Sequence, residues 1–528
     1  MLRWNGWGEE TITYPLSESA KAYLCNTLGA PQRPHDVDRA SIRVLPPARF
    51  PQSHPLLHTD DETRLRHALG QSFPDLAAKR FGRFERFPDA VAFPESDQEV
   101  RDLLAWAGRT GAQVIPFGGG TSVVGGVTPL SPRDDDRPVL TLTLARLNDL
   151  RKLDEVSRLA TFAAGTTGPY IESQLRAHGF TFGHYPQSFE HSSLGGWIAT
   201  RSSGQQSLGY GRIEDLFAGG TLETPRGQIM LPPLPASAAG PDLRQLILGS
   251  EGRLGIITEA IMRVNPLPET EAFYGAMFPD WNSGITASRQ AIQSDIPLSM
   301  LRLSNSTETE TFLNMPVHQS QINLLRMLLR WRNFTPENCL MLFGLTGSHA
   351  TVKFARRAMA EVCRQYKGLW LTELIGKQWA KTRFRSAYLR DALWEQGYAV
   401  DTLETAVPWA KVSLAAQKIL NALAGAMSPV LPMVHLSHFY PDGASLYFTF
   451  LFPVGSTLEE TMSRWRVLKE AGSQAVLAMG GTITHQHGIG LDHRAYLAAE
   501  KSELGLQMLD HARKSLDPQG MMNPGKLL

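Results

Sequence analysis

Residues 116–126 read PFGGGTSVVGG, with five glycines in eleven positions and no charge. Backbone this bare has two uses: it admits positive φ, and it lets another group lie against the main chain. That group is often a phosphate held by peptide N–H groups. A turn that only needs flexibility is the plain alternative. Two common phosphate fingerprints are absent. GxGxxG requires glycine at 123, where the chain has Val123, so the nicotinamide-type dinucleotide motif is missing. GxxxxGKS/T fits Gly120 and Gly125. It then puts Gly126 and Val127 where a lysine and a hydroxyl should hold phosphate and magnesium, which excludes a nucleoside triphosphatase.

Two further segments share the loop's composition. PQSFEHSSLGGWIATRSSGQQSLGYGRIEDL, from Pro186 to Leu216, sets Ser192, Ser193, Thr200, Ser202 and Ser203 beside Gly195, Gly196 and Gly204. GSEGRLGIITEA spans Gly249 to Ala260. Three separate Gly, Ser and Thr segments suit one long ligand with a pyrophosphate in its middle, neutralised by N–H and O–H groups without lysines.

The 528 residues exceed the usual single-domain limit, so two or three domains are expected. Residues 1–85 are rich in proline and short polar turns, with a helix predicted near Glu62–Leu69, and read as an extension wrapping another domain. Val100, Leu103, Leu104 and Ala107 follow helical spacing behind Ser96 and Asp97. A short run, Gln113–Pro116, enters the glycine loop, and strands are predicted at 139–144 and 159–164. Gly168-Pro169 opens a helix that stops at Gly179. Alternating short strands and helices argue for α+β or α/β architecture. Ile322–Trp331 is the most amphipathic stretch.

Lys plus Arg number 52 and Asp plus Glu 51, which leaves no electrostatic case for nucleic acid. Cys25, Cys339 and Cys363 form neither a disulfide framework nor a zinc spacing, and point to a reducing, intracellular setting. The N-terminus lacks the pattern of a secretion signal. Pro429, Pro432 and Pro441 break the uncharged stretch Ile419–Pro441, so no transmembrane segment is expected. The expected location is the cytoplasm, with room for peripheral contact with a membrane.

Late in the chain lie His435 and His438, then His485 and His487. In a strand the last two would share a face, with Gln486 opposite. They read as acid/base groups, as structural histidines, or as four imidazoles of a metal site. SLYFTFLF, residues 445–452, alternates: Leu446, Phe448, Phe450 and Phe452 face a core, while Tyr447 and Thr449 face away.

The whole set resembles the vanillyl-alcohol oxidase/p-cresol methylhydroxylase superfamily of FAD flavoproteins. More narrowly it is similar to the alkyldihydroxyacetonephosphate (alkylglycerone-phosphate) synthase family. Beyond the three glycine segments, RWNGWG at Arg3–Gly8, LRLSN around Arg302, YLRD at 388–391, LETAVPW at 403–409 and HQHGIG at 485–490 carry the resemblance. They stand in the family's order over nearly the whole chain.

The resemblance implies an α+β fold, with a two-lobed FAD-binding domain of the p-cresol methylhydroxylase type and an α+β cap that holds substrate. It divides the chain into the extension 1–85, the FAD domain 86–267, the cap 268–480, and a segment 481–528 returning to the flavin. Pro116, Phe117, Gly118, Gly119, Gly120, Thr121 and Ser122 would wrap the FAD pyrophosphate. Gln187, Ser188, Ser192, Ser193, Gly196, Thr200, Ser202 and Ser203 would complete the dinucleotide site. Glu251, Gly252, Gly255, Ile256 and Ile257 would lie beside the adenosine and flavin ends, and Arg201 and Arg253 would serve the cofactor site or its packing. Some superfamily members tether the flavin through a histidine near the first glycine loop. None occurs between His67 and His178, so non-covalent FAD is expected.

The implied reaction belongs to ether-lipid synthesis. Flavin N5 attacks C1 of acyl-dihydroxyacetone phosphate, the fatty acid leaves, and a fatty alcohol replaces it. Tyr447 and His487 would handle protons, with His485 in the same motif, and Arg302 or Arg390 would hold the phosphate. The partners implied are these lipid substrates, with a homodimer as a further expectation. The stretch near Ile322–Trp331 would line an apolar tunnel or touch a membrane. Two departures stand out. Gln486 replaces the middle one of three consecutive family histidines, and glutamine carries no proton near neutral pH. Gln486 and Tyr447 also occupy ligand positions of the metal site in related D-2-hydroxyacid dehydrogenases, so no metal is expected. The alternatives are an FAD-linked oxidoreductase of a 2-hydroxy acid or alcohol, and a flavoprotein scaffold decayed at Gln486.

Overall fold

The helix predicted behind Ser96 runs Asp97–Thr110. The Ser96 hydroxyl accepts the Glu99 N–H, and Gly111 closes the helix at φ 68°. Its apolar stripe is buried, and the chain turns into the strand Gln113–Phe117, which ends in the glycine loop. This strand pairs in parallel with Val139–Thr143, which pairs in parallel with Ala90–Ala92; Leu57–His58 adds an antiparallel edge. A second lobe is a five-stranded antiparallel sheet in the order Leu150–Asp154, Leu159–Ala163, Ile256–Arg263, Phe217–Thr224, Gly227–Leu231. One apolar core joins the two lobes, with Val114 and Leu140 from the first and Phe162 and Ile256 from the second. This is a computed structural model, and it describes residues 2–34, 36–44, 49–50, 53–314, 326–327, 329–332, 334–371 and 373–528.

The third body is a seven-stranded antiparallel sheet. Its order is Leu369–Trp370, Thr270–Phe278, Cys339–Gly347, Met300–Ser304, Leu431–Phe439, Gly443–Pro453, Tyr398–Pro408. Alternation divides its faces. Leu446, Phe448, Phe450 and Phe452 are buried in one cluster with Ile419 and Leu423 of the helix Val412–Ala426 and with Leu468 and Val476 of the helix Leu458–Met479. Each such side chain contributes about 1.5–3 kcal/mol on burial. Arg302, His435, Tyr447 and Thr449 occupy the opposite face and look toward the two lobes. The resulting architecture is α+β, and it matches the expectation from the sequence.

Both ends of the chain return to this junction. Met522 bridges to Val114, and the Asn523 amide donates to the carbonyls of Gly126 at 3.0 Å and Glu251 at 2.7 Å. Near the start, the Trp7 N–H donates to Asp391 at 2.9 Å, and the Arg80 guanidinium meets the other oxygen of that carboxylate at 2.6 Å. Gly8 sits at φ 71°, where a Cβ would lie 2.3 Å from the Tyr388 hydroxyl. The N-terminal segment therefore rests on the helix Leu389–Trp394, which carries Arg390.

Some expectations need adjustment. The early helix spans Asp61–Arg66 and ends where His67 leaves helical geometry. HQHGIG is a loop, not a strand. Within Ile322–Trp331, Ile322, Leu325 and Leu328 lie outside the described residues, while Met327 and Trp331 are exposed. Among the described residues no helix is long and apolar enough to cross a membrane.

Candidate active site

A cavity of about 620 Å³ opens between the two lobes and the cap sheet. On the lobe side it is lined by Pro116 through Ser122, by Gln187, Ser188, Ser192, Ser193, Gly196, Thr200, Ser202 and Ser203, and by Glu251, Gly252, Gly255, Ile256 and Ile257. The three glycine-rich segments thus converge, as one long ligand would require. The glycines also have a structural reason. A Cβ on Gly119 would lie 1.7 Å from the His191 carbonyl oxygen, and one on Gly118 would lie 2.2 Å from the Ser193 hydroxyl. Gly120 sits at φ 65°. The loop is bare because the second segment lies directly against it. Arg201 and Arg253 do not line the cavity. Arg201 donates to the Leu248 and Gln245 carbonyls, and Arg253 to the Met522 carbonyl, so both brace the surrounding chain.

The cap side is organised by register. Ser304, His435, Tyr447 and Glu404 stand opposite one another on successive strands, and directly opposed residues share a face. The Tyr447 ring stacks on His435 at 5.0 Å and meets His487 edge-on at 5.5 Å. Its hydroxyl donates to Thr402 at 3.3 Å. Burial pushes the phenol well above its usual range, so Tyr447 remains a donor. His435 Nδ1 lies 2.8 Å from the Glu308 carboxylate, which Arg302 also meets at 3.1 Å. Burial works against the Glu308 carboxylate, but the His435 ring and the Arg302 guanidinium hold its pKa at about 2. Burial, then Arg302, lowers the His435 pKa, and Glu308 opposes them. Nδ1 donates to the Glu308 carboxylate, which can only accept. Arg390 donates to the Gln71 carbonyl at 2.6 Å, while its Nη2 is buried without a partner among the described residues and the residue lines the cavity.

Glu404 fixes the HQH loop. Its Oε1 accepts the Thr484 hydroxyl at 3.0 Å and the backbone N–H groups of His485, Gln486 and His487 at 3.1, 2.7 and 2.8 Å. Three successive N–H groups cannot converge on one oxygen from a strand, whose N–H groups alternate in direction. That is why the strand reading fails here. Gln486 and His487 line the cavity together. His485 does not: its Nε2 lies 2.6 Å from the Tyr440 hydroxyl, and its ring stacks on His438. Glu404→Ala would orphan three buried or half-buried N–H groups, each costing about 1–3 kcal/mol if water does not reach it. The variant should melt clearly lower than wild type and lose activity; an unchanged melting curve would show that the loop holds without the carboxylate.

Sequence reasoning missed several lining residues. Trp7, Glu308, Arg383 and Asn523 all border the cavity. Arg383 carries no local signal, and Glu308, six residues after Arg302, is tied into the site by the distant His435 as well. Among the described residues no group of three or more His, Cys, Asp or Glu side chains is placed to hold a metal ion.

Comparison with known proteins agrees with this architecture. Residues 88–231 match a family model described as FAD binding domain, and residues 267–527 one described as FAD linked oxidases, C-terminal domain. The chain aligns over its whole length with 93% of the alkyldihydroxyacetonephosphate synthase of Dictyostelium discoideum, at 30% identity. A solved structure of an alkyldihydroxyacetonephosphate synthase superposes with a TM-score of 0.87 at 27% identity, covering 100% of this chain and 99% of that one. A solved p-cresol methylhydroxylase with substrate bound shares the fold, with a TM-score of 0.68 at 12% identity over 97% of both chains.

Proposed function

Because the chain belongs to the alkyldihydroxyacetonephosphate synthase family, we propose that its cavity exchanges the acyl group of acyl-dihydroxyacetone phosphate for a fatty alcohol, with FAD bound along the lobe side. The observation that carries this reading is the Tyr447 row. A protonated phenol lies between two imidazoles, on the wall facing the converged glycine segments.

The lobe wall fits FAD. Its peptide groups are free of side chains at Gly118–Gly120, and Ser203 and Asn523 line the cavity, the Ser203 hydroxyl and the Asn523 side-chain amide oxygen having no hydrogen-bond partner among the described residues. Pro116–Ser122 would take the pyrophosphate, Gln187–Ser203 the rest of the dinucleotide, and Glu251–Ile257 its two ends. Among the described residues the histidines on the cavity wall, His435, His438 and His487, come from the cap and the late loop; His67 and His191 adjoin the glycine loop without lining the cavity. This supports non-covalent FAD. Denaturation is expected to release all the flavin into the supernatant, and flavin retained on the polypeptide would contradict it.

Bound FAD supplies the electron-poor ring chemistry at C1. Arg390, with an open buried Nη2, and Arg302 would hold the substrate phosphate, arginine being suited to bidentate anion recognition. Tyr447 and His487 would move protons at C1 and the leaving carboxylate. The cap, residues 268–480, would hold the lipid, and residues 1–85 and 481–528 would close the site from two sides. Labelled fatty alcohol should enter acyl-dihydroxyacetone phosphate with the flavin spectrum unchanged at the end of turnover. Anaerobic bleaching by a 2-hydroxy acid without exchange would instead support the oxidoreductase reading.

A further inference from the structure

RWNGWG, residues 3–8, stands far from the glycine segments in sequence, yet Trp7 lines the cavity. The segment is held against Arg390 and its neighbour. The Trp7 backbone N–H donates to Asp391 at 2.9 Å, and a Cβ on Gly6 would lie 2.7 Å from that carboxylate. Gln71 joins the pieces of this wall. Its side chain donates to the Gly6 carbonyl at 3.1 Å, its own carbonyl accepts Arg390 at 2.6 Å, and its backbone N–H donates to the Ser122 carbonyl at 2.8 Å. On its other side the Trp7 ring meets His191 edge-on at 5.6 Å. The His191 carbonyl is the group that lies against Gly119. Trp7 is thus wedged between the segment bearing Arg390 and the wall of the glycine loop.

Trp7 is 6% exposed, and its indole Nε1 is buried with no acceptor among the described residues. Arg390 Nη2, on the segment that Trp7 packs against, is in the same state. An indole N–H can only donate, and a buried donor without an acceptor is rare in a folded chain. Two such donors on one cavity wall require an acceptor that arrives with a ligand, and a phosphate oxygen suits both. His191 Nε2 is also unpartnered. It makes no hydrogen bond to Trp7 across the edge-on contact, and His191 does not line the cavity.

We propose that Trp7 donates its indole N–H to a phosphate oxygen bound in this cavity, so that the N-terminal segment is part of the binding site. FAD and acyl-dihydroxyacetone phosphate each bring such an oxygen. The identity of the ligand rests on the reading above; the need for an acceptor does not. Trp7 makes and breaks no covalent bond. It binds, and it ties the start of the chain to the occupied state of the cavity.

The test replaces Trp7 by 3-benzothienylalanine, which keeps the bicyclic shape and puts sulfur where the N–H stood, with Trp7→Phe as the second variant. In the flavin-loaded protein, FAD dissociation on dilution is followed by flavin fluorescence. Binding of acyl-dihydroxyacetone phosphate is followed by the change in flavin absorbance, so neither measurement needs turnover. At least one of the two affinities should fall about tenfold or more in both variants, while the melting temperature of the sulfur variant barely moves. A loss confined to FAD assigns its pyrophosphate; a loss confined to acyl-dihydroxyacetone phosphate assigns the substrate phosphate. Two unchanged affinities overturn the proposal, as does loss of both with a clearly lower melting temperature, which marks a structural residue. His191→Phe should bind both ligands as wild type does; if it reproduces the loss seen in Trp7→Phe, Trp7 serves His191 and the proposal falls. A wild type that binds acyl-dihydroxyacetone phosphate but incorporates no labelled hexadecanol overturns the exchange reading and leaves the role of Trp7 standing.

Discussion

Replacing Tyr447 by phenylalanine is expected to leave a folded, flavin-loaded protein that has lost roughly a hundredfold or more of its exchange rate. The phenyl ring preserves the stack on His435 and the edge contact with His487. Only the hydroxyl disappears, and with it one 3.3 Å bond to Thr402. Such a bond contributes about 1 kcal/mol net, so the melting temperature should barely move. The phenol is nevertheless kept a donor near neutral pH by its burial. Flavin content, melting temperature and incorporation of labelled alcohol separate the two effects. Full incorporation by the variant would reduce Tyr447 to a strand residue and move the proton-donor role to His487.

The second large effect is expected at Gly119, through cofactor binding. An added methyl would meet the His191 carbonyl oxygen at 1.7 Å and its carbon at 2.7 Å, both backbone atoms that cannot rotate away. Either the glycine loop or the segment bearing Ser192 and Ser193 must move. Overpacking of this kind typically costs about 1–3 kcal/mol and more against rigid backbone. If the whole cost falls on the cofactor-competent state, flavin affinity drops about tenfold per 1.4 kcal/mol. Gly119→Ala should purify largely flavin-free and melt lower than wild type. Gly425→Ala is the control: beyond its chain neighbours and its own helix backbone nothing lies within 4 Å of its added methyl, and it sits in the helix Val412–Ala426, so flavin content should not change. A yellow Gly119→Ala at wild-type stoichiometry would show that the two segments slide freely.

Much of this site was legible in the sequence, and what was not has identifiable causes. The glycine segments were readable because close backbone contact can be met by few residue types, and such residues cluster. Tyr447 was readable because three phenylalanines at alternate positions fix which face of a strand is buried. His485 was misplaced because the loop's shape is dictated by Glu404, 81 positions away in sequence. The inward turn of His438 depends on a bulge, and a bulge leaves no mark in a period-two pattern. Arg383 and Asn523 reach the cavity only through contacts between distant segments. The motif resemblance recovered the family, but it could not foresee that His487 and not His485 would face inward.

The hydrogen bond from Asn523 to the Gly126 carbonyl spans 397 positions of chain. The glycine loop leaves the ribosome long before the residue that fastens it, so the first lobe must be made, and wait, while the second lobe and the entire cap sheet are synthesised. Contacts this distant are slow to form, because the loop they close has to be ordered first. The fastening of the glycine loop is therefore expected to come after synthesis of the whole cap sheet. A nascent or truncated chain lacking residues 521–523 would hold every glycine motif and still have an unfastened pocket.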